Sequence, residues 1–230
     1  MTSSVILIPA RYGSTRYPGK PMAMLDGIPM IRRVYDACIA SKLPTFVLTD
    51  HQEIYNYMGA GKCIMDTADY ENGTERCAGA VASRVFDDYD QFINVQGDMP
   101  DVTVEMIDKC AWQLQHYPVT TVFTKMTEEE QNNPNSVKMV RAGDQALWFG
   151  RGMTGYGDWH LGVYGYRKNA LQAYPHLRVE KEERIEKLEQ LRWLKSGWQI
   201  GCLSVQFNGV EINTEHDLNL WNYKHAKQAH

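Results

Sequence analysis

The run Val5-Ile6-Leu7-Ile8 passes without a polar interruption into Pro9-Ala10-Arg11-Tyr12-Gly13-Ser14-Thr15-Arg16-Tyr17-Pro18-Gly19-Lys20-Pro21. A strand that reads as a continuous apolar run is covered on both faces, which points to a parallel sheet flanked by helices. The loop leaving its carboxyl end sets two arginines and a lysine among glycines and prolines. Gly13 and Gly19 free the backbone to approach an anion, Pro9 and Pro18 stiffen the loop, and Arg11, Arg16 and Lys20 can neutralise phosphate charge. Ligands of open α/β sheets bind at that edge, so a triphosphate pocket is favoured over a solvated basic turn. The glycine spacing fits neither a Walker A loop nor a Rossmann dinucleotide fingerprint.

The rest of the chain extends the pattern. Apolar runs at 5–8, 46–48, 92–95 and 119–123 alternate with helical periodicity at 30–40, 77–86 and 104–114. That rhythm predicts a Rossmann-like, doubly wound, mixed but mostly parallel α/β sheet in a single domain spanning residues 1–230. Strand-like segments at 136–140, 146–149 and 161–166 follow glycine-rich turns and read as antiparallel or mixed additions. A charged helix is predicted over 180–196, with Ile185, Leu188, Leu191 and Leu194 at helical spacing and Gly197 ending it. A last strand at 200–205 precedes a helix starting at Asn213 or Thr214, and residues 150–158 are the one stretch loose enough for a mobile loop.

With 230 residues, 43 % of them hydrophobic and 23 % charged, the chain can bury a full core. A formal net charge of −4 argues against bulk binding to nucleic acid, so the basic loop reads as a local pocket for a small anion. No apolar run is of membrane-spanning length and no signal peptide precedes the first strand, which predicts a cytoplasmic protein without a membrane partner. Cys38, Cys63, Cys77, Cys110 and Cys202 are irregularly spaced and suit neither a disulfide framework nor a zinc site.

Asp98 follows Gln96-Gly97 at the end of the 92–95 run, a position where a hard carboxylate suits Mg²⁺ and where a turn-forming aspartate is the plain alternative. Arg76 opens a helical pattern after Asn72-Gly73-Thr74-Glu75, where free backbone N–H groups favour an anion. Arg151, His160, Tyr164, Glu189 and Gln190 could clamp a carboxylate and bond hydroxyls, although each alone also reads as an ordinary structural residue.

The segment 5–21 resembles the signature loop of nucleotidyltransferases that activate 3-deoxy sugar acids with CTP, above all the 3-deoxy-manno-octulosonate (Kdo) cytidylyltransferase family. The resemblance continues, in order, through Thr49-Asp50-His51, Asn72-Gly73-Thr74-Glu75-Arg76, Asn94-Val95-Gln96-Gly97-Asp98, Asn133-Pro134-Asn135-Ser136-Val137-Lys138, His160-Leu161-Gly162-Val163-Tyr164 and Leu188-Glu189-Gln190-Leu191-Arg192. It implies transfer of CMP from CTP to a sugar acid with release of pyrophosphate, Mg²⁺ as cofactor and a homodimer. It implies nucleotide contacts from Pro9, Ala10, Arg11, Arg16, Lys20, Thr74, Arg76 and Gln96, with Lys20 at the α-phosphate and Arg11, Lys20 and Asp98 as the catalytic set. Gln96, Arg151, His160, Tyr164, Glu189 and Gln190 would line the sugar-acid site, and Asp98 would hold the metal.

Three departures from the family pattern stand out. Only eight residues, 152–159, separate Arg151 from His160, where the family carries a longer loop with an Ile-Pro-Trp pattern. Met99 follows Asp98 where an acidic residue is common. Asn213 occupies the second metal-aspartate position, with Glu211 two residues earlier as a substitute on the same side of an extended strand. Kdo is the favoured acceptor; a nine-carbon sialic-like acid, an amino variant of Kdo, and a non-catalytic nucleotide- or sugar-binding protein stay open.

Overall fold

The computed structural model of the chain describes residues 3–13 and 17–226. Its first half runs β1 (Ser4–Ala10), the short pair β2 (Met24–Leu25) and β3 (Ile28–Pro29), α1 (Met30–Ile39), β4 (Thr45–Thr49), α2 (Gln52–Met58), β5 (Cys63–Met65), α3 (Gly73–Ala82), β6 (Gln91–Val95), α4 (Val104–Gln113) and β7 (Val119–Thr124). Then follow α5 (Glu128–Asn132), β8 (Lys138–Ala142), β9 (Gln145–Gly150), β10 (Asp158–Arg167), α6 (Lys168–Ala173), α7 (Lys181–Glu186), α8 (Leu191–Lys195), β11 (Ile200–Ser204) and α9 (Glu215–Ala226).

Nine of the described strands form one sheet, in the order β5-β4-β1-β6-β10-β7-β11-β9-β8. β5, β4, β1 and β6 pair in parallel, and so do β7 and β11, whereas β10 and β9 run against their neighbours. The sheet is therefore mixed and mostly parallel, as the continuous apolar runs predict. Successive side chains of β1 go to opposite faces. Ile6 and Ile8 join the core beneath α1, α2, α4 and α9, while Val5 and Leu7 join the core beneath α3, α6 and α8.

From β1 the chain winds outward to β4 and β5, and then returns to place β6 on the other side of β1. The strand order reverses between β1 and β6, and the crevice at their carboxyl ends is where such sheets receive ligands. Gly97 makes that crevice tight: a Cβ there would lie 2.9 Å from the carbonyl oxygen of Pro9. β10 brings a second set of residues to the same edge because it runs antiparallel beside β6, pairing Val163 with Val95. The five cysteines are all buried and unpaired, and burial pushes each thiol up.

Three details differ from the sequence-based expectation. The helix expected from Cys77 begins at Gly73, because the Asn72 side chain accepts the Glu75 N–H and caps it four residues earlier. The helix expected over 180–196 is two short helices: α7 stops at Lys187, which takes the left-handed conformation (φ 54, ψ 48), and α8 starts at Leu191. Ile185 is consequently exposed and off the core face. Only the end matches, with Gly197 (φ +80) and the Trp198 N–H bonded back to the Trp193 carbonyl. Residues 205–213 have no regular secondary structure and do not join the sheet, so Glu211 and Asn213 do not share a strand.

Candidate active site

A cleft of about 590 Å³ opens over the crevice. Its near wall comes from the end of β1 and the loop behind it, through Pro9, Ala10, Arg11 and Lys20. Arg16 lies outside the described residues. The Gly19 N–H donates to the Tyr12 carbonyl, which closes the loop on itself, and the Tyr12 ring stacks on His51 with centroids 3.7 Å apart. Asp50, at the end of β4, holds this arrangement with both oxygens. Oδ1 accepts the Tyr12 N–H at 3.1 Å and Oδ2 accepts from Arg76 at 3.0 Å.

Arg76 lines the cleft, yet its guanidinium is committed to the protein. Besides Asp50 it donates to the Asp66 carbonyl at 2.8 Å and lies over the Tyr70 ring, and the residue is 4 % exposed. Thr74 does not reach the cleft at all. It is fully buried behind the wall, with Oγ1 on the Tyr166 hydroxyl and its N–H on Glu189.

The floor is Gln96-Gly97-Asp98. Lys20 Nζ donates to Asp98 Oδ2 at 2.6 Å and to the Ile212 carbonyl at 3.1 Å, while the Ile212 N–H donates to the Asp98 carbonyl. Ile212 thus pins the C-terminal segment across the floor, and the residues on either side of it, Glu211 and Asn213, both line the cleft. The Glu211 carboxylate accepts the Gly162 N–H at 3.2 Å. Burial, together with the nearby negative charge of Asp98, pushes its carboxyl up to about 8. These donors are two carboxylates and an amide, all hard oxygen, and among the described residues no cluster of three or more acidic, histidine or cysteine ligands exists. Such a set fits Mg²⁺, which takes one or two carboxylates and completes its octahedron from phosphates and water.

Arg151, His160, Tyr164, Glu189 and Gln190 all line the cleft on its far side. Thr121 Oγ1 spends its proton on the Val163 carbonyl at 2.8 Å, so it accepts from His160 Nε2 at 3.0 Å, which leaves His160 Nδ1 as an acceptor. Burial holds this imidazole down at about 3, and it is neutral. The Tyr164 hydroxyl has no hydrogen-bond partner among the described residues, and Gln190 Nε2 is buried with none either.

Glu189 acts differently from its neighbours. Oε2 accepts the Thr74 N–H at the start of α3 and Oε1 accepts Gln96 Nε2 at 3.0 Å, so the carboxylate fixes the Gln96 amide between the two halves of the cleft. Burial raises its carboxyl above the ordinary range. The kink at Lys187 brings Glu189 inward; a continuous helix reads it as a solvated face.

The shortened segment after Arg151 is tied down at its start. Glu186 accepts the Arg151 N–H at 2.7 Å, buried Lys138 donates to the Arg151 carbonyl at 3.0 Å, and the Arg151 guanidinium donates to the Asn135 carbonyl at 2.6 Å. Sequence reading assigned no role to Asp50, Arg184 or Lys187. Asp50 could have been found from its place at a parallel strand's carboxyl end, whereas Arg184 and Lys187, which also line the cleft, were hidden by the unbroken helical pattern.

Comparison with known proteins places the chain among nucleotidyltransferases. Residues 5–200 match the family model described as cytidylyltransferase. An 8-amino-3,8-dideoxy-manno-octulosonate cytidylyltransferase of Shewanella halifaxensis is 36 % identical, over 94 % of this chain and 95 % of its own length. A 3-deoxy-manno-octulosonate cytidylyltransferase of Brucella ovis is 38 % identical, over 94 % of this chain and 93 % of its own. The solved structure of a CMP:2-keto-3-deoxy-manno-octonic acid synthetase complexed with CTP superposes with a TM-score of 0.89 at 32 % identity, covering 99 % of this chain and all of that one. The match to the family model extends over most of the chain, and the chain belongs to the cytidylyltransferase family.

Proposed function

We propose that this chain transfers CMP from CTP to a 3-deoxy-2-keto sugar acid, Kdo first among them, and releases pyrophosphate. The observation that carries the reading is the meeting in one cleft of two unlike walls. Arg11 and Lys20 stand on the β1 side with Asp98 beneath them, and the unpartnered Gln190 amide and Tyr164 hydroxyl stand on the other. A triphosphate needs the first wall, and a polyhydroxylated acid needs the second.

The chemistry asked of these residues is positional and electrostatic. A hydroxyl oxygen of the acid forms a bond to the α-phosphorus as the bond from phosphorus to the pyrophosphate oxygen breaks, and negative charge grows on the departing group. Lys20 and Arg11 are placed to stabilise that charge, an effect of several kcal/mol in a dry site. Arg76 supports them indirectly by holding Asp50, which holds the loop. On the acceptor side Arg151 would meet the carboxylate, His160 Nδ1 and Tyr164 the hydroxyls, and Gln96, locked by Glu189, the boundary between the two substrates.

Mg²⁺ belongs to the same reading. Asp98 and Glu211 would hold it, with the Asn213 amide as a neutral third donor, and the ion would polarise the phosphoryl oxygens when bound. The family resemblance implies a homodimer, which sedimentation measures; no described helix is long and apolar enough to cross a membrane.

Incubation of the enzyme with CTP, Mg²⁺ and a panel of Kdo, 8-amino-Kdo and a nine-carbon sialic acid, with pyrophosphate and nucleotide product measured, tests the proposal. Turnover of an eight-carbon acid supports it. Binding without any pyrophosphate favours the non-catalytic reading, for which the neutral Asn213 in an acidic position is the one observation.

A further inference from the structure

Asp101 does not line the cleft, yet it follows closely on the floor carboxylate and joins two elements distant in sequence. Two successive turns connect it to Asp98: the Met99 N–H donates to the Gln96 carbonyl and the Val102 N–H to the Met99 carbonyl. Asp101 Oδ2 accepts the Val210 N–H at 3.0 Å, and Oδ1 accepts Trp221 Nε1 of α9 at 2.8 Å. Val210 and Trp221 are both buried, so each N–H relies on this carboxylate rather than on water.

The contact is a close one. A Cβ at Gly209 would lie 2.5 Å from that of Asp101, so only glycine lets the chain pass there on its way to Val210. Trp221 is held in turn by the His225 ring, stacked on it with centroids 3.6 Å apart, and by the Arg33 guanidinium 4.9 Å from its centroid. His225 Nε2 also comes to 3.4 Å from Asp101 Oδ1. Beyond Val210 the chain reaches the floor: Glu211 and Asn213 line the cleft, and Ile212 between them donates to the Asp98 carbonyl and accepts from Lys20. Residues 205–213 belong to no helix or strand, so no ladder of backbone bonds fixes them. Asp101 supplies the anchor on one side of this stretch, and Asp217 supplies it on the other by accepting the Asn213 N–H at 3.0 Å.

We propose that Asp101, oriented by Trp221, is a positioning residue that holds Glu211 and Asn213 beside Asp98 for a divalent cation, which makes the C-terminal helix part of the metal floor's assembly. This rests on the Mg²⁺-dependent cytidylyltransfer reading above. Met99 is buried in the core and Asn213 is neutral, so the floor offers a cation few anionic oxygens and its affinity depends on how firmly they are held. Residues that support metal ligands from outside typically change metal affinity by roughly 10–100-fold, and support through the backbone belongs at the lower end, about ten-fold.

The test compares the full-length wild type with Asp101→Asn, which keeps the shape of the side chain and leaves one of the two N–H groups facing an amide NH₂. Free Mg²⁺ is titrated at fixed CTP with two readouts: pyrophosphate release with Kdo, and the rise in melting temperature that Mg²⁺ adds to the CTP-bound protein. The expected result is a Mg²⁺ midpoint about ten-fold higher for the variant in both, with KM for Kdo and CTP affinity without Mg²⁺ changed no more than a few-fold. A lower melting temperature with unchanged Mg²⁺ midpoints would make Asp101 an anchor for α9 alone and overturns the proposal. Should Asp101→Asn not fold, Trp221→Phe replaces it, since it keeps an aromatic ring and removes the N–H on Oδ1; a several-fold rise in the midpoint supports the proposal and an unchanged one overturns it. The melting readout needs no turnover, which separates this proposal from the functional reading. A wild type with a Mg²⁺ midpoint but no pyrophosphate overturns cytidylyl transfer and leaves the positioning standing. Turnover independent of Mg²⁺ overturns the metal floor and the positioning with it, and neither signal overturns both.

Discussion

The ammonium of Lys20 stands 2.6 Å from Oδ2 of Asp98, so the cation offered to the phosphate and the carboxylate offered to the metal hold each other in position. Both side chains are partly exposed, at 16 % and 26 %, and the pair opens into the cleft. Lys20 is thereby preorganised next to the β1–β6 crevice without being sealed off from a ligand.

A cation fixed in this way acts most strongly where charge develops. Lys20→Ala is expected to lower kcat by ~10²-fold or more while the dissociation constant for CTP changes by no more than a few-fold. Steady-state kinetics beside calorimetric titration of CTP separates the two. A loss confined to CTP affinity would move Lys20 to ground-state binding.

Asp50 supports the nucleotide loop from behind, and Arg76 depends on it. Asp50→Ala is expected to raise KM for CTP on the order of ten-fold and to cost roughly 1–3 kcal/mol of stability, because the Arg76 guanidinium keeps its burial and loses its carboxylate. Asp50→Asn, which retains an acceptor for the Tyr12 N–H, should recover part of the CTP affinity. Equal KM in all three proteins would leave Asp50 a purely structural residue.

Gln190 gives a prediction of opposite sign for function and stability. Its buried Nε2 has no partner in the protein, so Gln190→Leu should leave the melting temperature unchanged or raise it. KM for the sugar acid should rise about ten-fold with KM for CTP unmoved. A destabilised variant with normal sugar kinetics would place the amide in the protein's own bonding.

The buried His160 imidazole makes the fold sensitive to acid. Its value in the fold, about 3, lies below the ordinary 6.5, so between those limits the unfolded chain binds the extra proton. This contribution to stability is complete above pH 6.5 and is lost as pH falls toward 3, at up to about 1.4 kcal/mol per pH unit. Glu189, whose carboxyl is raised, contributes with the opposite sign above about pH 4.5, so the comparison must be between proteins. Denaturant midpoints from pH 7 to 5 should fall more steeply for wild type than for His160→Gln. Parallel slopes would mean that the imidazole is protonated in the fold.

The metal site can be read by titration. Asn213→Asp should lower the Mg²⁺ concentration giving half-maximal rate, since it adds an anionic oxygen beside that of Asp98. Glu211→Gln should raise it if Glu211 is the substitute ligand. Unchanged metal dependence in both variants would leave Asp98 and the triphosphate as the only contacts.

The sheet was legible because residues 5–8 are apolar without interruption and residues 92–95 are broken only by the buried Asn94, the pattern of strands covered on both faces. The cleft was largely legible for the same reason: the carboxyl ends of these strands are where Arg11, Lys20 and Asp98 had to lie. Lys187 shows the limit. Spacing of Ile185, Leu188, Leu191 and Leu194 fits one helix, but the carboxylate of Glu189 is needed at the start of α3 and on Gln96, a long-range demand that local periodicity does not carry. Thr74 lies outside the cleft for a related reason, since its partners Tyr166 and Glu189 come from other elements, and the contacts of cleft-lining Arg76 with Asp50 and Asp66 are equally long-range.

On the proposed function, CTP and a 3-deoxy sugar acid react in this cleft over Asp98. The most direct measurement is pyrophosphate release on mixing the protein with CTP, Kdo and Mg²⁺, run beside Asp98→Asn. One pyrophosphate and one CMP-sugar per CTP consumed are expected, with a rate that falls by at least ~10²-fold in Asp98→Asn. Full activity in Asp98→Asn, or binding of both substrates with no pyrophosphate from the wild type, would contradict it.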